Sequence, residues 1–383
     1  MESIDAFLKK REALGLLRSL KPITSRNQSR IIIGGKEYLD FSSNDYLGLS
    51  GHPKIVKEIK CALDKFGTAS CASRLMSGDY KLHHDLEDEV ALFKNKEAAL
   101  VFNSGYQANL GIISSLYGKG DCIFCDRLSH ASIIDGIILS GARLLRFRHN
   151  DLGYLESLLK KERSKFSKAL IVTETIFSMD GDRAPLKGLV GLKEKYNCDF
   201  LVDEAHATGI FGRNGSGLVE EEGLQGEVDL IMGTFSKALA GFGAYLAASR
   251  EIVDYLVNTC RSFIYSTALP PEIIAGDLAS LNLVKEEPGR REKLLKSAEY
   301  FRKALEEGGF KVRGSSQIVP LIIGENQKVI EFSRLLQAKG NWVLPIRYPT
   351  VPKDEARLRF SLTFNHSKDD LEKLIRSINE CGF

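Results

Sequence analysis

Short apolar runs and longer amphipathic stretches take turns through the middle of the chain. Runs of strand length fall at 98–102, 122–125, 144–147, 170–173, 200–202, 229–232 and 244–247. Stretches with helical spacing lie among them, at 106–117, 132–140, 152–161 and 189–196. Strands covered on both faces read as unbroken apolar runs, and their alternation with helices implies a mostly parallel sheet between two helical layers. The expectation is an α/β protein whose large domain, 46–285, holds a mostly parallel seven-stranded sheet flanked by helices. Glu286-Glu287-Pro288-Gly289 breaks the pattern. Beyond it come helix 290–307, strand 318–323, helix 328–339, strand 358–362 and helix 368–379, a smaller α+β domain over 286–383. The segment 1–45 reads as an amphipathic helix followed by strands 30–33 and 37–40 around Gly34-Gly35, expected to pack on the small domain.

Composition narrows the function classes. At 43% hydrophobic and 27% charged, the 383 residues have the balance of an ordinary globular protein. Fifty-three basic against 50 acidic residues leave a net charge of +3, without the basic excess that nucleic acid or a membrane surface calls for. No apolar run reaches the roughly 18 residues of a membrane span. The N-terminal stretch carries Glu2, Asp5 and Glu12 and lacks the apolar core of a signal peptide. Seven scattered cysteines, an odd number, argue against a disulfide framework and for a reducing cytoplasm. Cys122-Ile-Phe-Cys125 sits within a strand run, so its cysteines are read as structural, and no metal site is expected.

In open α/β sheets, ligands sit at the carboxyl ends of the strands. Asp203 falls just past one strand run, with His206 three residues on. Lys237, in GTFSKALAGFGAY, follows the next. Asn103-Ser104-Gly105-Tyr106 opens a helix after a third, a phosphate cradle by position and dipole. His130 follows a fourth, and Ser178 lies past a fifth. Each alone is weak: an acid after a strand often caps a turn, and a lysine there is often solvated. Together they match one cofactor. Pyridoxal 5′-phosphate takes a lysine for its aldehyde, an acid for its ring nitrogen, a flat plate over the ring, and amides with hydroxyls for its phosphate.

The stretches SSNDYLGLS, SRLMSG, HHDLE, DRLSHAS, FSMDGD, VDEAHATG, GTFSKAL, FIYSTALPP, PTVP and RLRFSLT resemble, in order, the α-oxoamine synthases, fold-type I transferases that use pyridoxal phosphate. The resemblance runs from Arg18 to about His366. It implies that Lys237 holds the cofactor, Asp203 pairs with its ring nitrogen, His206 bonds its 3′-oxygen and His130 stacks on its face. Gly105, Tyr106, Thr234 and Ser236 would hold the phosphate, Ser178 would line the cofactor, and Thr267 would reach the phosphate of a partner subunit. Arg359 would clamp an amino acid carboxylate, with Arg18, Thr350 and His130 on the substrate side. SSNDYLGLS and FIYSTALPP point to the branch serving biotin biosynthesis. That branch condenses L-alanine with a pimeloyl thioester of coenzyme A or an acyl carrier protein, in a cytoplasmic homodimer with shared active sites. Relatives pair glycine with acetyl- or succinyl-CoA, or serine with palmitoyl-CoA. The family's glycine-rich loop reads Thr68-Ala69-Ser70-Cys71-Ala72-Ser73-Arg74 here, a departure that leaves the loop's role open.

Lesser candidates read as structure. His83 and His84 precede a helical run, and His149-Asn150-Asp151 reads as a turn and cap. Arg357 shares strand parity with Arg359 and has no assigned partner beyond an ion pair. A nicotinamide dehydrogenase, which also uses alternating α/β elements, lacks its fingerprint: Gly241-Phe242-Gly243 has no third glycine and leads into a strand. A non-catalytic partner protein would leave Asp203, Lys237 and Arg359 unexplained.

Overall fold

The computed structural model describes residues 3–382; Met1, Glu2 and Phe383, at the outer ends of the two terminal domain expectations, lie outside the described residues. The chain forms two compact units. The first gathers 1–48, 178–182 and 292–383, and the second 49–177 and 183–291.

In the first unit, Ser3 caps a helix over Ile4–Ala13 by accepting from the Ala6 amide at 3.2 Å. This helix is shorter than the amphipathic element expected, and none of its residues is buried. Its apolar stripe, Ile4, Phe7 and Leu8, is about one turn long and flanked by Asp5, Lys9 and Lys10, too small to bury much area. Strands β1 (Ser25–Asn27), β2 (Arg30–Ile33) and β3 (Lys36–Asp40) form a meander. Gly34 and Gly35 close its second hairpin with φ of +58° and +78°, the pair of positive angles a tight two-residue turn needs.

The second unit is built on seven strands: β4 (Ala98–Phe102), β5 (Cys122–Asp126), β6 (Arg143–Phe147), β7 (Ala169–Glu174), β8 (Asp199–Asp203), β9 (Leu230–Thr234) and β10 (Ala244–Ala248). Their order is β4-β10-β9-β8-β7-β5-β6. All run parallel except β10, which is antiparallel to both neighbours. The exception follows from the chain: 235–243 contains no crossover helix, so β10 returns beside β9 in the opposite sense. The core lies between the sheet and the helices Gly105–Leu116, Ala131–Ser140 and Arg250–Thr259, with Ile112, Ile133, Leu170, Leu201 and Leu246 fully enclosed. Cys122 and Cys125 are part of β5, and burial pushes both thiols up to about 12, as inert structural cysteines require.

The rest of the first unit comes from the C-terminal segment. Strands β11 (Ile318–Gly324), β13 (Pro345–Ile346) and β14 (Ala356–Ser361) form an antiparallel sheet ordered β11-β14-β13, while β12 (Asn341–Trp342) adds in parallel to β3. Helices Gly289–Glu307, Asn326–Ala338 and Lys368–Glu380 accompany them. No helix among the described residues is long and apolar enough to cross a membrane.

One buried histidine in each unit makes stability depend on pH. His83 accepts from the Tyr80 amide at 3.2 Å, closing a capping box, and meets the Leu269 carbonyl at 3.1 Å; it is the helix-start residue that the sequence suggests. His366 accepts from the Thr363 amide and meets the Asp40 carbonyl. Burial lowers both to about 4 from 6.5. The unfolded chain therefore binds protons first as pH falls, and stability is lost between about 6.5 and 4 by up to roughly 3 kcal/mol per histidine. Urea unfolding across that range should show the loss, and His366→Gln should flatten it; an unchanged slope in that variant would assign the loss to other groups.

Candidate active site

Asp203 is the last residue of β8, and the apolar run Phe200-Leu201-Val202 fixes it at the sheet's carboxyl edge. It is buried and accepts twice, from the Ala205 amide at 2.9 Å and from Asn109 Nδ2 at 2.9 Å. Two N–H donors, one on each oxygen, fix the direction in which the carboxylate points. The turn after Asp203 carries His206, whose Nε2 lies 3.0 Å from Lys237 Nζ. Lys237 itself stands three residues beyond the end of β9, where Ala240 N donates to its carbonyl at 2.9 Å. The two strand ends thus bring together an acid, an imidazole and an amine from separate stretches of the sequence.

Below this turn lies a second set of charges that the sequence reading missed. Lys94 and Glu204 are fully buried and pair at 2.7 Å. Lys94 Nζ also donates to Thr208 Oγ1 at 3.2 Å and to the Ser216 carbonyl, and the Val219 amide donates to Glu204 Oε1 at 3.0 Å. Glu204 raises the Lys94 pKa against the opposing pull of desolvation. Both ends of the 204–208 turn are therefore anchored inside the unit.

The helix start that the sequence marks as a phosphate cradle has a side-chain cap and a glycine at its first position. Ser104 caps helix Gly105–Leu116 by accepting from the Gln107 amide at 3.2 Å. That leaves the Gly105 and Tyr106 amides ahead of the helix's own hydrogen-bond ladder, at its positive end. A Cβ at Gly105 would come within 2.8 Å of Thr234 Cγ2, so the helix start and the end of β9 touch only because residue 105 is glycine. Thr234 Oγ1 is buried and has no hydrogen-bond partner among the described residues. An unpaired hydroxyl beside amides at a helix start fits a phosphate group. Ser236 is exposed next to it. Asn103 Nδ2 donates to the Thr267 carbonyl at 2.8 Å and to Ser266 Oγ at 2.9 Å, which ties the backbone of the 266–267 segment to the approach to this helix, with Thr267 exposed.

His130 caps helix Ala131–Ser140 and faces the Tyr106 ring edge-on, with centroids 6.4 Å apart. Desolvation lowers its pKa; Asp203 raises it and Lys237 pushes it down further. Behind it, Ser132 Oγ lies 2.8 Å from His130 Nδ1 and accepts from Asn109 Nδ2 at 3.0 Å. Asn109 and Ser132 escaped the sequence reading because nothing in a helical Asn or Ser announces its partners. The Thr68–Arg74 loop is held by Ser70 donating to the Leu269 carbonyl at 2.6 Å and by Arg74 forking onto Glu87 at 2.9 and 3.0 Å.

The first unit holds the remaining candidates. Arg359 on β14 is buried and donates to the Ser178 carbonyl, Ser361 Oγ, Asn44 Oδ1 and Tyr46 Oη. No carboxylate among the described residues pairs with it. Arg357, two residues earlier on the same face, reaches the same 178–182 segment through Asp180 at 2.5 Å and also pairs with Glu355 at 3.0 Å. Arg313 joins both acids at 3.2 and 2.9 Å. Arg357 is thus the ion-pair residue expected, anchoring the segment that Arg359 touches. Arg18 Nη2 donates to Thr350 Oγ1 at 3.1 Å, and the two line a cavity of about 190 Å³ with Arg11 and Arg347.

The aminotransferase class I and II family matches residues 36–378. A Geobacter sulfurreducens protein named 8-amino-7-oxononanoate synthase is 47% identical over 99% of this chain and 98% of its own length. The chain belongs to the class I and II aminotransferase family, as an α-oxoamine synthase. Among solved structures, serine palmitoyltransferase from Sphingomonas wittichii is 33% identical with a TM-score of 0.94, covering 99% of this chain and 96% of that one. A serine palmitoyltransferase from S. paucimobilis, 30% identical with a TM-score of 0.91 over 99% of this chain and 96% of its own, carries a bound pyridoxal phosphate adduct of myriocin. As an α-oxoamine synthase of fold type I, the chain has the seven-stranded, mostly parallel sheet that the sequence implied.

In this α-oxoamine synthase, Asp203→Asn keeps the shape of the side chain and removes its charge. It should lower kcat about a hundredfold, the roughly 3 kcal/mol of one charge-assisted contact in a dry site. Steady-state rates with saturating substrates check this; near-normal turnover would reduce Asp203 to a cap of its turn.

Proposed function

We propose that this chain condenses L-alanine with a pimeloyl thioester, releasing carbon dioxide and the free carrier, to give 8-amino-7-oxononanoate in biotin biosynthesis. The observation carrying this reading is the end-to-end identity of 47% to a protein of that name, against 33% to a serine palmitoyltransferase of nearly the same fold. The cofactor is pyridoxal phosphate, and the Thr234 hydroxyl, the Gly105 start and the Asp203–His206–Lys237 group fit it. When bound, it supplies an electron sink for negative charge at the amino acid Cα.

The chain's own residues do the rest. Lys237 would hold the cofactor and, when free of it, would carry the proton of the alanine Cα. His206, within hydrogen-bond reach of Lys237 Nζ, orients that amine and bonds the cofactor's 3′-oxygen. Asp203, held by two N–H bonds, would pair with the ring nitrogen. His130 stacks on the ring, Ser178 lines it, and Gly105, Tyr106, Thr234 and Ser236 take the phosphate. Arg359, without an acidic partner of its own, takes the alanine carboxylate through its guanidinium fork. Arg18 and Thr350 receive the far carboxylate of the pimeloyl chain; Arg11 and Arg347 add positive charge to that cavity. We place the enzyme in the reducing cytoplasm, consistent with seven cysteines free of disulfides, as a homodimer in which Thr267 serves the partner's phosphate. Either coenzyme A or an acyl carrier protein can present the thioester.

The test is kcat/KM for alanine, glycine and serine, each with pimeloyl-, acetyl-, succinyl- and palmitoyl-CoA, and alanine with the pimeloyl carrier protein. Alanine with a pimeloyl thioester should lead, and Arg18→Ala should erase the pimeloyl preference. One methyl in an apolar pocket is worth only ~1–3 kcal/mol, so the acyl chain should discriminate more than the amino acid. If glycine with a short acyl-CoA, or serine with palmitoyl-CoA, leads instead, the substrate assignment is wrong.

A further inference from the structure

We infer that Asn109 is a positioning residue that couples Asp203 to His130, fixing the direction of the carboxylate and holding the imidazole as the ring with its proton on Nε2. Asn109 lies inside helix Gly105–Leu116 and is 1% exposed. Its Nδ2 makes two bonds, to Asp203 Oδ2 at 2.9 Å and to Ser132 Oγ at 3.0 Å. The orientation of the amide is settled by its partner. A carboxylate holding the Ala205 amide on its other oxygen can only accept, so the nitrogen faces Asp203. Both amide hydrogens are then spent.

Ser132 is the next link. Its Oγ accepts from Asn109, so its single hydrogen is free to point at His130 Nδ1, 2.8 Å away. The Ser132 amide aims at the same nitrogen from 3.3 Å. Two donors on Nδ1 leave it no proton, and the neutral ring carries its hydrogen on Nε2. Asn109 Oδ1, meanwhile, has no hydrogen-bond partner among the described residues. An amide present only for packing would satisfy that carbonyl; here the donor side is served at the carbonyl's expense.

The charged and polar groups around His130 agree with this state. Asp203 favours the protonated ring, but Lys237 and desolvation oppose it, and Tyr106 offers only a ring edge, its hydroxyl being donated to Asp135. The consequence for the proposed reaction, on which this inference rests only for its use, is twofold. A neutral His130 would add no positive charge beside the pyridoxal phosphate that the site is proposed to hold. Its Nε2–H is a donor facing outward from the relay.

The experiment needs no cofactor and no substrate. In the full apo chain labelled with ¹⁵N-histidine, the seven histidines give separate ring signals, and His130→Gln assigns the one of interest. The wild-type His130 should show an unprotonated Nδ1 and a protonated Nε2 near neutral pH. Ser132→Ala, which removes the hydroxyl and keeps the amide of residue 132, and Asn109→Leu, which frees the hydroxyl to accept, should each raise the share of the Nδ1–H form, while Ser132→Thr, which keeps the hydroxyl, should retain the wild-type pattern. Asn109→Ala replaces the leucine variant if that one does not fold. A protonated Nδ1 in the wild type, or a wild-type pattern in the Asn109 variant, overturns the inference whatever the substrate panel returns.

Discussion

Lys237→Ala should abolish turnover, with kcat falling by at least about 10⁴-fold, because in the proposed reaction one amine serves as both covalent anchor and proton carrier. That amine is delivered by the end of β9 to within 3.0 Å of His206 Nε2, on a loop whose course is set by β9, β10 and the Lys237–Ala240 turn. Borohydride reduction of the holoenzyme followed by peptide mapping should place the label on Lys237 alone. Single-turnover measurements on the variant, with cofactor added back, should show no fast proton exchange at the alanine Cα. A label on another lysine, or residual turnover above about one per cent, would sink the assignment.

The second large effect is on stability. Lys94→Met should cost about 3–5 kcal/mol, because it leaves Glu204 buried without its partner. The urea midpoint should drop while the denaturant slope stays constant. The double variant Lys94→Met with Glu204→Met should recover most of the loss, since two apolar side chains of similar volume often replace a buried pair without penalty. If the double variant is no better than the single one, the pair contributes through the hydrogen bonds to Ser216 and Val219 rather than through charge. Asp203 and His206 flank this anchor, so the single variant should also lower kcat at temperatures where it remains folded.

The seven strands are legible because each carries a short apolar run, unbroken in β4, whose bounds Ala98–Phe102 match the expectation, and interrupted by Arg146 in β6. The antiparallel course of β10 also had a signal, the absence of any helical stretch between 234 and 244, although alternation alone suggested one more parallel strand. Asp203, His206, His130 and Lys237 could be found because chemistry collects at strand ends. Asn109, Ser132 and the Lys94–Glu204 pair could not. Lys94 and Glu204 lie 110 residues apart, and Asn109 and Asp203 lie 94 apart. Only the packed sheet decides which helix faces which strand end. The N-terminal helix failed for the opposite reason: its Ile4, Phe7 and Leu8 stripe has the right spacing, but spacing does not say whether anything covers it.

Asp203 and Glu204 are neighbours in sequence with unrelated duties, one facing Asn109 and the other bound to Lys94. Side chains alternate sides at a strand's end, so a shift of one residue would exchange them. The buried pair then acts as a pawl. Glu204 reaches Lys94 in one register only, and that register sets the acid that faces the site. Insertions or deletions between 199 and 206 should therefore be lethal to activity even where the sheet still forms. The 222–226 turn, which follows helix Leu218–Glu221 and carries no such pairing to Lys94, is where a library of length variants or an inserted affinity tag has room to work.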